Sequence, residues 1–340
     1  MKLKRNIVGW MARYLLFRTD RIGDFIFSRI ITHAIKKKNS LNTIDIVCSK
    51  YNAKYVKNYR DLNKIYIIEK WNLKLMYKNL KEINLKKYDH LIVLDGKRRS
   101  IFFSIFLKAK QKIAVVKDWR PYLILNFFFN KYLINSESNN QYDNFITLAN
   151  LINLKIEDKI DYYSGYRFKK NIKINFKSNY TLLHLDEKWF EGFYYNDFKY
   201  MNLNDNNFEI LINTIFNKFQ RPILITSGMV KTPILKKIIK KYFVKIDDNE
   251  YISKKYKNRL KFFDNTDFQD LELIVKKSNN LICCEGAISH VSNAFKINTI
   301  ALVNYSGANT GVFWTGHMSK ITLIYRDDIK KICNLIKNLK

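Results

Sequence analysis

The sequence contains neither of the two commonest glycine-rich phosphate loops, and only 10 of its 340 residues are glycine. No GxGxxG follows an apolar strand, and no GxxxxGKS or GxxxxGKT occurs anywhere in the chain. A dinucleotide-dependent oxidoreductase and a P-loop enzyme are therefore disfavoured. Any phosphate that this protein binds has to be held by a different kind of turn.

Cysteine and long apolar runs are also scarce. The 4 cysteines form no CxxC pair and the 5 histidines are scattered, so neither a disulfide framework nor a zinc site is indicated, and we expect no metal or other cofactor. No run of about 18 apolar residues predicts a membrane-spanning helix. Arg13 interrupts the apolar part of the amino-terminal segment, so no signal peptide is predicted. These features favour a cytoplasmic protein.

Acidic residues are few: 30 Asp and Glu face 61 Lys and Arg, which gives a net charge of +31. Such a charge favours nucleic acid, an anionic membrane or a phosphorylated substrate as partner. A coding sequence rich in A and T would give the same excess of Lys, Asn, Ile and Tyr without functional pressure. The charge is spread through all regions, and no helix-turn-helix, zinc-finger or RNP-type motif occurs. We therefore expect no nucleic acid as partner. A basic nucleic-acid-binding protein is the alternative prediction.

Short apolar, β-branched segments alternate with segments of helical period, which predicts α/β domains with parallel sheets. A chain of this length favours two domains. The character of the sequence changes around residues 135 to 180, so we expect an amino-terminal domain at 1–170 and a carboxyl-terminal domain at 171–340. Predicted strands lie at 14–18, 43–49, 64–69, 90–95, 112–116, 180–185, 222–227, 260–264, 281–285, 299–304 and 321–325. Predicted helices include 24–38, 142–154, 203–218, 232–241, 267–277, one from 287, and 327–340.

The turn after the first strand reads "RTDRIGDFIFS" from Arg18 to Ser28. Asp24 is predicted at the start of the following helix, where one interpretation makes it an N-cap. The other interpretation makes it a functional carboxylate at the carboxyl edge of a parallel sheet, where open α/β sheets bind ligands. On that interpretation Arg18 and Gly23 are predicted to contact the substrate beside it.

A second turn, "CCEGAISHVSNAF" at 283–295, again passes from a strand through an acid and a glycine into a helix. Backbone amides at Ala287 to Ser289, after Glu285 and Gly286, are predicted to bind phosphate oxygens at the positive end of that helix. His290 lies in the same first turn. It is either a ligand contact or a buried core histidine.

Two further turns follow strands at the same predicted sheet edge. Lys188, in "HLDEKWFEGF", can neutralise a diphosphate leaving group, although a surface lysine is the simpler alternative in so basic a chain. Ser227 and Gly228, in "SGMVKTP", are small enough for a backbone to approach a ligand closely.

With these turns in place, the sequence resembles glycosyltransferase family 9, which includes the lipopolysaccharide heptosyltransferases. The resemblance rests on "RTDRIGDFIFS", "HLDEKW" and "EGAISHVSNAFKINTIALVNYSG", and it spans nearly the whole chain. It implies a GT-B fold, two Rossmann-like domains with parallel sheets facing across a cleft. It also implies inverting transfer of a hexose or heptose from a nucleotide-diphosphate sugar to a surface glycolipid, as in lipopolysaccharide biosynthesis.

The resemblance assigns roles by position. Asp24 matches the family's base, Lys188 matches a lysine of the nucleotide-sugar domain, and Glu285, Gly286, Ala287 and His290 match a motif of Asp, then Thr or Ser, then Gly, with His three residues later. Glu285 and the missing Thr or Ser depart from that motif, so the donor is not predicted to be ADP-heptose in particular. A relative that binds sugars without transferring them is a further alternative.

The acceptor is expected on the amino-terminal domain. Residues 97–134 interleave Lys and Arg with Phe, Trp and Leu, a mixture that suits the surface of an anionic membrane. A core strand and helix with solvated ends would give the same composition. We therefore expect a cytoplasmic protein that makes peripheral contact with the inner face of the cytoplasmic membrane.

Overall fold

The computed structural model describes residues 10–69, 72–116, 122–134, 140–168, 179–190, 201–264, 266–304 and 308–339. The chain divides into two compact units, Met1–Arg167 (unit 1) and Phe168–Lys340 (unit 2). The predicted domain boundary, between residues 170 and 171, falls outside the described residues.

Unit 1 is a parallel sheet of six strands with helices between them. Its elements are β1 (Arg13–Arg18), α1 (Ile22–Lys38), β2 (Thr43–Ser49), α2 (Lys50–Val56), β3 (Lys64–Ile68), α3 (Leu73–Asn84), β4 (Tyr88–Val93), α4 (Arg98–Ile105), β5 (Ala109–Val116), α5 (Tyr122–Phe128), β6 (Lys131–Ile134) and α6 (Gln141–Leu151). The strand order is β3-β2-β1-β4-β5-β6, and every pairing is parallel.

The central strands of unit 1 are apolar on both faces because helices cover both sides of the sheet. Leu15, Leu16 and Phe17 of β1 are all buried. The buried side chains of α3, α4 and α5 join one core cluster with β1 and β4, including Ile83, Phe103 and Leu125. Those three helices therefore cover the same face of the sheet.

Unit 2 repeats the alternation with a larger sheet. Its elements are β7 (Thr181–Leu185), a short 3₁₀ helix (Glu187–Trp189), α7 (Phe208–Phe219), β8 (Ile223–Ser227), α8 (Pro233–Tyr242), β9 (Phe243–Lys245), β10 (Glu250–Ser253), β11 (Lys257–Phe263), α9 (Phe268–Lys277), β12 (Asn280–Cys284), α10 (Ala287–Ala294), β13 (Asn298–Val303), α11 (Ala308–Thr315), β14 (Ile321–Tyr325) and α12 (Ile329–Asn338). The order is β14-β13-β12-β7-β8-β11-β10-β9.

The predicted parallel strands and the predicted helices are confirmed, with boundaries shifted by a few residues. The sequence did not predict β6, nor the strands β9 and β10, which pair antiparallel with each other while β10 also pairs antiparallel with β11. These strands have three or four residues and lie at or near sheet edges. None of the described helices is long and apolar enough to cross a membrane.

Each sheet has one place where the strand order reverses. In unit 1 it lies between β1 and β4, because β2 and β3 follow on one side and β5 and β6 on the other. In unit 2 it lies between β7 and β12. In open α/β sheets, ligands bind beyond the carboxyl ends of the strands at such a switch point.

All four cysteines are buried and free: Cys48 in unit 1, and Cys283, Cys284 and Cys333 in unit 2. Burial raises the pKa of every one of these thiols. Their thiolate forms are therefore strongly disfavoured in the folded chain.

Candidate functional site

Asp24 lies beside the switch point of unit 1, but it is not the N-cap of α1. The helix begins at Ile22 and its cap is Arg21, so Asp24 is the third helical residue and Gly23 the second. Asp24 Oδ2 accepts a hydrogen bond from the Arg21 backbone N–H at 3.1 Å. An acid at the third position reaches back to the cap in this way. Its other oxygen, Oδ1, stays available for a second contact.

That second contact is Arg18, the last residue of β1, which is buried. Its Nη2 lies 3.8 Å from Asp24 Oδ1. The guanidinium is fixed by two backbone carbonyls: Nε donates to Asp24 O at 2.9 Å, and Nη1 donates to Leu94 O at 2.8 Å. Arg18, predicted to contact substrate, thus turns inward and joins β1, β4 and α1.

Asp95, the second residue after β4, stabilises the same turn and was not predicted as a site residue. Its Oδ2 accepts from the Thr19 backbone N–H at 2.9 Å, the Thr19 hydroxyl at 2.6 Å and the Ser100 hydroxyl at 2.7 Å. Its Oδ1 accepts from the Lys97 N–H at 3.1 Å. The available signal was an acid at the end of a predicted strand. What the sequence could not give is the strand order that places β4 beside β1.

In unit 2, the structure brings two predicted turns together. Lys188 Nζ donates to the Glu285 backbone carbonyl, and a Cβ placed on Gly286 would lie 3.3 Å from that nitrogen. Lys188 follows β7 and the other two follow β12, the neighbouring strand. The lysine is therefore not a surface lysine: its side chain is 13% exposed.

The local sequence explains the position of Lys188. Asp186 caps the 3₁₀ helix by accepting from the Lys188 N–H at 3.1 Å, and buried Trp189 donates from Nε1 to His184 O at 2.9 Å. Burial disfavours the charged ammonium, but the negative charges of Asp186 and Glu285 outweigh it and raise the pKa of Lys188. A protonated lysine is thereby held at the switch point.

Gly286 caps α10, and its neighbours leave part of the helix start open. The Ser289 N–H donates to Gly286 O at 3.1 Å, and the Gly286 N–H donates to Ser289 Oγ at 3.3 Å. The prediction that the Ser289 amide is unpaired is therefore wrong, because the cap carbonyl accepts it. No hydrogen bond among the described residues takes the N–H of Ala287 or Ile288. These two amides are therefore available at the helix start, where free N–H groups can bind an anion.

Arg326, the residue after β14, is a buried cation that the sequence did not single out. Its Nη2 lies 3.6 Å from Glu285 Oε1, and its Nε donates to Leu302 O at 3.3 Å. The same carbonyl accepts the Glu285 N–H at 3.1 Å. Glu285 is thus oriented from two sides. An arginine after the last predicted strand was the only signal.

His290 is buried in the first turn of α10, and its ring contacts the α11 region. The ring centroid lies 6.5 Å from that of Trp314, edge to face, and 6.5 Å from that of His317. Burial, with a smaller contribution from His290, lowers the pKa of His317 to about 3. His290 is thus buried against aromatic rings.

Ser227 is the last residue of β8, the strand on the other side of β7, and Gly228 follows it. A Cβ on Gly228 would lie 3.2 Å from Asp186 Cα, so a side chain there would press against the turn that carries Lys188. Ser227 is buried, and its hydroxyl lies 3.5 Å from Asp264 Oδ1. Lys231 Nζ donates to Asp264 Oδ2 at 2.5 Å. Asp264 and Lys231 were not predicted as site residues.

Neither a protein-family model nor a curated protein matches the sequence significantly. Solved structures do match its fold, which is the GT-B fold of two α/β domains with parallel or mostly parallel sheets. E. coli heptosyltransferase WaaC with ADP matches with a TM-score of 0.67 at 12% identity, over 96% of this chain and 99% of that one.

Two further solved structures match the fold. The glycosyl transferase family 9 protein from Veillonella parvula DSM 2008 has a TM-score of 0.68 at 12% identity, over 97% of this chain and 90% of that chain. The UDP-GlcNAc 2-epimerase from Methanocaldococcus jannaschii has 0.53 at 15% identity, over 97% and 94%. The resemblance to family 9 is thus confirmed for the fold. Because an epimerase shares that fold, the reaction has to be inferred from the site residues.

Proposed function

We propose that this chain is an inverting glycosyltransferase that moves a sugar, heptose or a related one, from a nucleotide-diphosphate donor to a hydroxyl of lipopolysaccharide or another surface glycan. The observation that carries the proposal is the pairing of Lys188 with the start of α10 at the switch point of unit 2. The likeness in fold between this chain and a heptosyltransferase that binds ADP supports the choice of a nucleotide ligand.

The proposed donor site uses this chain's own positive charges. Lys188 is protonated, and the amides of Ala287 and Ile288 add the positive end of the α10 dipole. Together they would stabilise the charge that develops on a departing diphosphate. The proposal therefore assigns no metal ion to the leaving group.

Asp24 is proposed as the base of a single displacement. Its carboxylate takes the proton of the acceptor hydroxyl, whose oxygen forms the new bond to the anomeric carbon. The bond from that carbon to the diphosphate oxygen breaks, and its electron pair leaves with the nucleotide diphosphate. Attack from the face opposite the leaving group inverts the anomeric centre.

The donor is tested by a thermal-shift screen of ADP-, GDP- and UDP-sugars. A donor at 100 times its Kd stabilises the fold by about 2.7 kcal/mol. Lys188→Ala should abolish most of that shift, whereas Lys237→Ala, an exposed lysine on α8, should leave it unchanged. No shift with any of these donors, or an equal shift in Lys188→Ala, would argue against the proposed donor site.

The base is tested by Asp24→Asn with the identified donor and a lipopolysaccharide-type acceptor. Losing a placed general base typically lowers kcat by about 10²- to 10⁴-fold. Donor binding should persist, which separates loss of chemistry from loss of fold. Full transfer activity in Asp24→Asn excludes Asp24 as the base. A wild-type protein that binds donor and transfers nothing would be the non-catalytic relative considered above.

The acceptor is proposed to meet unit 1 at an anionic membrane on the cytoplasmic side. Helices α3, α4 and α5, together with Phe106 directly after α4, expose large apolar side chains: Leu73, Tyr77, Phe102, Phe106, Phe127 and Phe128. Phe102 and Phe106 are one turn apart, and their rings lie 5.2 Å from each other. The same helices contain Lys74, Lys78, Lys81, Arg98 and Arg99 against a single acid, Glu82. Exposed aromatic rings beside cations suit an interfacial surface.

Vesicle flotation tests this contact. Binding should require an anionic phospholipid in the vesicle and should weaken as salt screens the charges. Phe102→Ser with Phe106→Ser should reduce it, while Val244→Ser, an exposed apolar residue of unit 2, should not. Flotation that is insensitive to anionic lipid would contradict the membrane contact without touching the donor-site proposal.

A further inference from the structure

Asp20 is a carboxylate beside the proposed base that the mechanism above does not use. It lies in the turn between β1 and α1, and its side chain is 14% exposed. Its Oδ1 lies 3.3 Å from Arg18 Nε. Among the described residues, no side chain or backbone group donates a hydrogen bond to that buried oxygen. A buried carboxylate of this kind needs its charge compensated.

The compensation comes from Arg18, which also faces Asp24. The guanidinium is held by the Leu94 and Asp24 carbonyls, so it cannot turn fully toward either carboxylate. Nη2 of Arg18 makes no hydrogen bond among the described residues and lies 3.8 Å from Asp24 Oδ1. One buried cation is therefore shared by two carboxylates.

The charges that act on Asp20 leave an excess of negative charge. Arg18 and Lys97 are the cations that face it, while Asp24 and Asp95 are the anions. Asp95 already has four donors of its own, and Lys97 Nζ is directed to the Thr19 carbonyl at 3.5 Å. When carboxylates crowd around too little positive charge, one of them gains a proton first.

Asp20 is the group that gains it. Burial raises the pKa of Asp20 to about 7, Arg18 opposes that rise, and Asp24 and Asp95 add to it. Its ionisation therefore changes in the neutral range, whereas an ordinary aspartate stays ionised there.

We propose that Asp20 is a positioning residue for the base: its ionised carboxylate engages the Arg18 guanidinium and so leaves Asp24 able to accept the proton of the acceptor hydroxyl. The inference rests on the proposed role of Asp24. With Asp20 neutral, Asp24 is the carboxylate left to compensate Arg18. Protonating Asp24 would then leave a buried guanidinium without a counter-ion, which is strongly unfavourable. With Asp20 ionised, that counter-ion persists while Asp24 holds the proton.

The first test is the pH dependence of kcat for wild type, Asp20→Asn and Asp20→Glu, from about pH 5.5 to about pH 8.5. Wild-type kcat should rise through neutral pH as Asp20 ionises. Asp20→Asn should lose that rise and stay about 10-fold below wild type at high pH, because Asp24 is then the counter-ion of the buried Arg18 guanidinium at every pH. Asp20→Glu should recover a rise.

Asp89→Asn is the matched control. Asp89 lies near the amino end of β4, whereas Asp20 lies beyond the carboxyl ends of the strands of the same sheet. Its profile should keep the neutral rise. The same rise in Asp20→Asn would overturn the proposal, and so would its loss in Asp89→Asn. A purely structural role of Asp20 would lower kcat equally at every pH.

The second test does not depend on transfer activity. In protein labelled with ¹³C at aspartate carboxyl carbons, one carboxyl should titrate near pH 7 and vanish in Asp20→Asn. Its midpoint should fall in Asp24→Asn, because the Asp24 charge helps to raise it. A midpoint that Asp24→Asn leaves unmoved would overturn the shared-cation arrangement. If the protein transfers no sugar, this titration still decides whether Asp20 and Asp24 share Arg18.

Discussion

Asp95 fixes the turn between β1 and α1, which precedes Asp24. Its carboxylate accepts four hydrogen bonds from Thr19, Lys97 and Ser100, and these join the ends of β1 and β4 to the start of α4. Hydrogen bonds to a charged acceptor are among the strongest in proteins. The position of the turn before Asp24 therefore depends on this buried anion.

We predict that Asp95→Asn destabilises the chain by about 2–3 kcal/mol, because an amide replaces the charged acceptor and places a donor among donors. Urea unfolding measures this change. Transfer activity should fall as well, while the thermal shift caused by the donor at unit 2 should persist. Unchanged stability would show that the four hydrogen bonds contribute little.

A pH effect on stability is expected from His184, whose Nδ1 lies 3.0 Å from Thr226 Oγ1 in the core. Burial lowers the pKa of His184 to about 4. Between about pH 6.5 and this value the unfolded chain binds a proton that the folded chain does not, so stability falls as pH falls. The contribution is complete above about pH 6.5 and amounts to about 3 kcal/mol. His184→Gln should flatten the pH dependence of the urea midpoint, and an unchanged slope would contradict it.

Individual site residues could be predicted where a strand, a turn and a helix start are adjacent in sequence. Lys188, Gly286 and Asp24 were found that way, although Asp24 is the third helical residue and not the cap. Asp95 and Arg326 were missed, since their importance comes from strands that are neighbours in the sheet and distant in the chain. Which predicted site residues bind substrate stays a prediction.

At the scale of elements, the alternation of apolar strands and helices predicted nearly all of the parallel sheet. Long strands buried on both faces have a strong signal, because most of their residues are apolar. The short strands β6, β9 and β10 contain exposed and charged residues, including Lys131, Lys245 and Glu250. Their pairing is set by neighbouring strands and not by a pattern of their own.

The packing of α11 on β13 gives a prediction for a single methyl group. A Cβ on Gly311 would lie 2.8 Å from Val303 Cβ and 2.9 Å from its Cγ1. Gly311→Ala should destabilise unit 2 by about 1–3 kcal/mol through overpacking, more than the gain in helix propensity of about 1 kcal/mol. Urea unfolding measures the cost.

Adding Val303→Ala should relieve part of that cost in a double-mutant cycle, because it removes Cγ1 and Cγ2 of Val303, which lie 2.9 and 3.3 Å from the new methyl, while the Cβ contact at 2.8 Å persists. Gly316→Ala, at an exposed position after the same helix, is the control and should change stability little. Additive effects of the two core substitutions would show that the contact is relieved by movement of α11.

At the scale of the whole molecule, the two units repeat one design with different residues. Each has a switch point with a cation near the end of its first strand: Arg18 is the last residue of β1 in unit 1, and Lys188 follows β7 in unit 2. In unit 1 the cation is held between carboxylates, and in unit 2 it lies beside open helix amides. Under the proposed mechanism, unit 1 accepts a proton and unit 2 receives an anion at equivalent places in the same fold.

The buried cysteines make it possible to follow the unfolding of each unit separately. Cys48 belongs to unit 1 and the other three thiols to unit 2, all shielded and protonated in the folded state. An alkylating reagent can modify each thiol only after its surroundings open. Mass spectrometry of the modified peptides would therefore time the opening of each unit separately. It would also show which unit a bound nucleotide sugar protects.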